Sequence, residues 1–219
     1  MEEIELLKRR LKGSIILIFI IVFFCFLILI ILNKFVVVKD YYKASDFGIK
    51  TLYSKIDYNE NGIDDYSDFL LGAKKRINKS DTYDSLLIRI FKYAGYNLEG
   101  IVKCYYSDNK QYYKGKEKID LYKSFINSYA TKIENDYKRI KDFQPGDFIF
   151  LQDGIGILSD KRNKDGLNFL IMIKDGKVIE EDVLKEVKVS GHYRFDSALI
   201  SDELLLDKCW HTNIRVILW

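Results

Sequence analysis

Gln144–Gly166 reads QPGDFIFLQDGIGILSDKRNKDG, and its punctuation decides the fold. Pro145 is the one proline of the chain and Gly146 follows it. Pro presets a negative φ at the second position of a turn, and Gly accepts a positive φ at the third, which is type II geometry. Two short apolar runs follow, Phe148–Leu151 and Ile155–Leu158, with Asp153-Gly154 between them as a hairpin signal. Asn163–Gly166 supplies a second turn. The stretch therefore predicts a tight antiparallel meander at the centre of a small domain.

Outward from it, helical and strand periodicities give an α+β pattern. Asp65–Ile77 and Thr82–Ala94 read as helices. In the second, Leu86, Leu87, Ile90, Phe91 and Ala94 recur at helical spacing and Gly95 terminates. Lys118 to Asp136 reads as a third helix, and the tyrosine-rich stretch from Ile101 to Lys118 as a surface loop. Asn168–Ile173, Val178–Glu181 and Gly191–Phe195 read as strands, and Ile214–Trp219 as a strand-like run closing an extension that begins at 196.

Composition bounds the function. The chain has 219 residues and a net charge of +3, room for one domain plus an anchor, with no charge surplus that would call for nucleic acid. Ser14 to Leu32 is an uncharged run of about 19 residues, enough to span a bilayer. No small-residue cleavage site follows it. Lys8, Arg9, Arg10 and Lys12 precede it, so the charge bias puts the N-terminus inside and the rest outside. The expected layout is a cytoplasmic tail (1–13), a single-pass transmembrane anchor (14–33), a stalk (34–56), a folded domain (57–195) and a C-terminal extension (196–219).

Asp57–Asp68 reads DYNENGIDDYSD. Oxygen-bearing side chains fall at loop positions one, three, five, nine and twelve: Asp57, Asn59, Asn61, Asp65 and Asp68. Glycine stands at six, and Ile63 at seven offers its carbonyl. This is the spacing of a calcium loop, although position twelve is the shorter Asp in place of Glu. Two readings stand: a weak structural calcium site clamping the stalk to the first helix, or a polar turn and helix cap with no metal.

The motifs also carry a resemblance. Gln144-Pro145-Gly146-Asp147, the run Gly154-Ile155-Gly156-Ile157-Leu158-Ser159-Asp160, then Leu170-Ile171-Met172-Ile173 and Ser190-Gly191-His192-Tyr193-Arg194 resemble the bacterial domain-of-unknown-function family 1287. More distantly they resemble the papain-like cell-wall hydrolases of the NlpC type. The family reads Q-P-G-D-I-V, H-I-G-I-V-S-D, I-I-H-N and S-G-H-Y-R, and its members carry a D-x-N-x-N-G-I-D-D stretch similar to the acidic loop. The resemblance implies papain-like helices packed on a small antiparallel sheet. It also implies a site made of a cysteine opening the second helix, a histidine opening the second motif and a further histidine in the third. Carried over, these positions hold Tyr83, Gly154 and Met172. A phenol with a pKa near 10 is a poor nucleophile, and neither glycine nor methionine can exchange a proton.

The expectation is therefore a membrane-anchored extracytoplasmic envelope protein whose papain-like domain has lost catalysis and binds peptidoglycan or an envelope protein. The tyrosines Tyr105, Tyr106, Tyr112 and Tyr113 would serve for sugar or peptide stacking. The enzyme-class alternative is an active cysteine amidase or peptidase with a relocated site. The chain has three cysteines and two histidines, so such a site would use Cys104 or Cys209 with His192; Cys209-Trp210-His211 is too local to form one easily. A calcium-stabilised adhesive module without an ancestral cleft is a third reading, which leaves the succession from Q-P-G-D to G-H-Y-R unexplained.

Overall fold

The computed structural model describes residues 14–15, 17–27, 41–106 and 116–200. The chain divides into two compact units, 1–40 and 41–219. In the first, residues 14–15 and 17–27 are helical and their side chains are exposed. Among the described residues no helix is long and apolar enough to cross a membrane; the rest of the expected anchor lies outside them.

The second unit is α+β. Its helices are α1 (Asp65–Lys74), α2 (Tyr83–Tyr93), α3 (Leu98–Tyr105) and α4 (Lys118–Ser128). Its strands are β1 (Ala130–Ile133), β2 (Phe148–Leu151), β3 (Ile155–Arg162), β4 (Asn168–Lys174), β5 (Lys177–Glu181) and β6 (Val189–Phe195). They form one six-stranded antiparallel sheet in the order β1-β6-β2-β3-β4-β5.

The central meander forms as its turn residues dictate. Asp147 N donates to Gln144 O (3.2 Å) across the Pro145-Gly146 turn, and Gly146 takes a φ of 88°. Leu151 N donates to Gly154 O (2.9 Å) in the β2–β3 hairpin, and Gly166 N to Asn163 O (3.0 Å) in the next. β3 runs on past Leu158 to Arg162. The guanidinium of Arg162 is fully buried and donates to the carbonyls of Ile140, Gly166 and Phe143, stitching the strand end to the turn and to the segment before β2.

Strand alternation separates two cores. On the helix side, Phe148, Ile157, Ile171 and Phe195 of the sheet meet Phe69 of α1, Leu87 and Phe91 of α2 and Phe125 of α4. Phe69 and Phe91 lie 5.0 Å apart, and Phe148 lies 5.5 Å from Phe69. Burying each such ring stabilises the fold by roughly 1.5–3 kcal/mol. On the far side, Ile149, Leu151, Leu158, Leu170 and Met172 pack under Phe143 and Leu184.

Three expectations change. The helix expected from Lys118 to Asp136 stops at Ser128, and Ala130–Ile133 pairs with β6 instead (Ala130 opposite Phe195, Ile133 opposite His192). The β-branched Thr131 and Ile133 suit that edge. The expected loop after Ile101 begins as α3, capped by Asn97, whose side chain accepts from Gly100 N (3.2 Å). Residues 41–56 belong to the same compact unit as the sheet, with Tyr42 and Arg162 exchanging backbone hydrogen bonds (2.7 Å each). The extension is described only to residue 200, with a short 3-10 turn at Ser197–Leu199. The strand expected at Ile214–Trp219 lies outside the described residues.

Candidate functional site

Thr82 accepts from Ser85 N (3.3 Å) and so starts α2, which makes Tyr83 the first residue of that helix. A helix N-terminus is where a dipole would lower the pKa of a thiol. The hairpin turn brings Gly154 beneath it. A Cβ added at Gly154 would stand 2.6 Å from Tyr83 Cε1 and closer still to Cζ and Cε2. The Tyr83 ring thus fills the volume that any side chain at position 154 would need. Its hydroxyl donates to Ile173 O on β4 (2.9 Å). Burial, then the Asp153 charge, raises the phenol above its ordinary value, so it stays a protonated donor.

Met172 does not join them. It faces the far core, opposite Ile179 of β5, while Ile171 and Ile173 are the β4 residues on the helix side. The period of two sends the third carried-over position to the other face of the sheet. On the near face the neighbouring positions are aliphatic and exchange no proton.

The retained motifs meet at a different place. Asp147 of the turn is buried and accepts a fork from Arg194 of β6 (Nε to Oδ1 2.8 Å, Nη2 to Oδ2 2.7 Å). Gln144 N donates to the same carboxylate (3.1 Å), and His192 Nε2 lies 2.8 Å from Oδ2. A carboxylate already holding a guanidinium is an acceptor, so the imidazole nitrogen facing it donates. The His192 ring packs at a tilt against Phe143 (centroids 4.9 Å apart), on the face away from the helices. Asp147, His192 and Arg194 therefore join the central turn to the last strand. Arg194 Nη2 also reaches Asp142 O (2.8 Å).

The relocated thiol site is not assembled from Cys104 and His192. Cys104 is disulfide-bonded, and the α3 helix that carries it packs into the helix-side core. Cys209 and His211 lie outside the described residues. Tyr105 and Tyr106 pack on each other edge to face (4.6 Å), and Tyr105 packs on Phe125 (5.7 Å), which removes them as free stacking platforms. Tyr112 and Tyr113 lie outside the described residues.

The acidic loop closes on itself. Gly62, with φ 82°, donates its N–H to Asp57 Oδ2 (2.7 Å), and Asn61 N donates to Asp57 Oδ1 (3.1 Å) and Asn59 Oδ1 (3.0 Å). The amides of Asn59 and Asn61 both donate to Asp68 Oδ2 (2.9 and 3.0 Å). Asp57, Asn59, Asn61 and Asp68 thus converge, and Ile63 follows in the same turn. Asp65 is turned away: it is buried and accepts from Tyr96 Oη (2.6 Å), Ser197 Oγ (2.8 Å) and Tyr58 N (3.1 Å). Burial raises the carboxyls of both Asp65 and Asp68 above the ordinary range, and the Asp57 charge adds to each. Among the described residues no group of three or more His, Cys, Asp or Glu side chains is arranged to hold a metal. The Asp57 carboxylate accepts from backbone N–H groups of the loop and the Asp68 carboxylate from the Asn59 and Asn61 amides, while Asp65 is turned inward away from both.

The chain belongs to the family described as Domain of unknown function (DUF1287), whose model matches residues 79–195. The match covers Tyr83, Gly154 and the Asp147 cluster, and leaves the acidic loop outside. No curated protein and no solved structure matches the chain.

Proposed function

We propose that this is a membrane-anchored, extracytoplasmic protein of the bacterial envelope. Its domain derives from a papain-like, NlpC-type scaffold, has lost catalysis, and acts by binding the cell wall or an envelope partner. The observation that carries the reading is the Tyr83 ring lying over Gly154. The helix start suited to a nucleophile and the hairpin position suited to its base are joined into one packed contact, closed by the bond to Ile173. The disulfide at Cys104 supports an oxidising compartment, where such bonds persist. The acidic loop would hold calcium through Asp57, Asn59, Asn61, Ile63 and Asp68. Its role is structural, because Asn59 also donates to Tyr93 O at the end of α2 (3.0 Å). The cation would clamp that loop to the helix whose start carries Tyr83.

The test is to incubate the full chain with purified cell-wall sacculi, measuring co-sedimentation and release of soluble fragments in one sample. Retention on the sacculi without release is the expected result. Fragment release that survives repurification and scales with the amount of protein would replace this reading with the enzyme.

A further inference from the structure

A second concavity lies away from Tyr83. Residues 43–53 cross the surface as a strap fastened at both ends. At one end Tyr42 pairs with Arg162. At the other, the buried Gln144 side chain accepts from Leu52 N (3.1 Å) and donates to Lys50 O (3.4 Å). Between the fastenings, the strap, Pro145 and Asp160 of β3 enclose a cleft of about 580 Å³. That volume is within the usual range for small-ligand sites, roughly 300–1,000 Å³.

The lining has two characters. Ile49, Tyr53 and Pro145 give an apolar and aromatic wall, while Lys43 and Lys50 give ammonium groups. Neither ammonium has an acceptor among the described residues. The one carboxylate of the lining, Asp160, is taken by Lys74 of α1. The strap is thus held open by backbone and glutamine bonds while its two cations are unspent. A bare inorganic anion would use the lysines and leave the apolar wall idle. A ligand with a terminal carboxylate beside small apolar side chains uses both.

We propose that this cleft binds the C-terminal carboxylate end of a short peptide, with Lys43 and Lys50 on the carboxylate and Ile49, Tyr53 and Pro145 against its last side chains. The site is separate from the Tyr83 contact and stands whether or not that contact is catalytically inert.

The test titrates the full chain with N-acetyl-alanyl-alanine, with its C-terminal amide and with inorganic phosphate. Calorimetry should show saturable binding of the acid, weakened about tenfold or more in the amide. The Lys43→Gln/Lys50→Gln variant should lose a similar factor, and Lys43→Arg/Lys50→Arg should restore it. Both lysine side chains are exposed and take no part in the fastenings, and the amide comparison needs no variant at all. Equal binding of acid and amide, phosphate binding without binding of the acid, or a glutamine variant that binds as well as the parent would each overturn the proposal.

Discussion

Adding one methyl group at Gly154 should be costly only while Tyr83 is present. Gly154 is outside the left-handed region, so alanine meets no backbone penalty there. The Cβ instead meets the Tyr83 ring, at 2.6 Å from Cε1 and nearer to two further ring atoms. The ring must swing away, which breaks its bond to Ile173 O. Losing that hydrogen bond costs about 0.5–1.5 kcal/mol, and overpacking a filled site costs about 1–3 kcal/mol. Gly154→Ala alone should therefore destabilise by about 1.5–4.5 kcal/mol. In a Tyr83→Ala background the obstacle is gone. The same change should then cost nothing, or stabilise by about 0.4–1 kcal/mol through the less flexible unfolded chain. Urea titrations of the parent, both single variants and the double variant, followed by tyrosine near-ultraviolet dichroism, give the coupling energy. It should be at least about 1.5 kcal/mol, well outside the roughly 0.3–0.5 kcal/mol scatter of independent sites. Additive effects would refute the packing of Tyr83 over Gly154 and the inference of a joined, inert site.

Asp147→Asn removes the charge that both Arg194 and His192 face in a buried setting, and should destabilise by about 3–5 kcal/mol, read as a shifted urea midpoint. Calcium at about ten times its dissociation constant should stabilise the chain by about 1.4 kcal/mol. The Asp57→Ala or Asp68→Ala variant should lose that gain, and so should the parent as pH falls through the raised Asp68 value, because protons then compete for the ligand; a calcium-independent melting temperature would leave the loop as a simple cap. Burial alone would raise the Asp160 carboxyl, but the hydrogen bond and charge of Lys74 outweigh it and hold it below its ordinary value. A depressed folded-state value means the pair's stabilisation is present above the unfolded value, about 3.9, and is lost as pH falls through the folded one. Acid titration of Lys74→Met should lack that loss.

The sheet centre was legible because its turns are forced. Proline followed by glycine, Asp153-Gly154 and Asn163–Gly166 each leave few backbone options, and the strands between them carry apolar runs long enough to register. Helix α3 departs from the loop expected there, although Leu98, Ile101, Val102 and Tyr105 stand at helical spacing after an Asn cap. The tyrosine-rich composition is that of a surface loop, whereas Tyr106 is buried. Strand β1 falls within the stretch that reads as the preceding helix, because four residues on an edge have no periodicity of their own and depend on β6 for their hydrogen bonds. At the site, the pairing of Tyr83 with Gly154 is what the family resemblance implies once its motif positions are carried over. The side of the sheet taken by Met172 does not, since one residue of register reverses every side chain. Nor did the loop spacing disclose that Asp65 turns inward to Tyr96 and Ser197, contacts distant in sequence.

The joined Tyr83–Gly154 contact is proposed to leave the domain without hydrolytic chemistry. The most direct measurement is the rate at which the full chain cleaves purified peptidoglycan peptides under reducing and non-reducing conditions, resolved by chromatography. No product above the uncatalysed background is expected in either. Steady turnover in either, proportional to protein concentration, would contradict it.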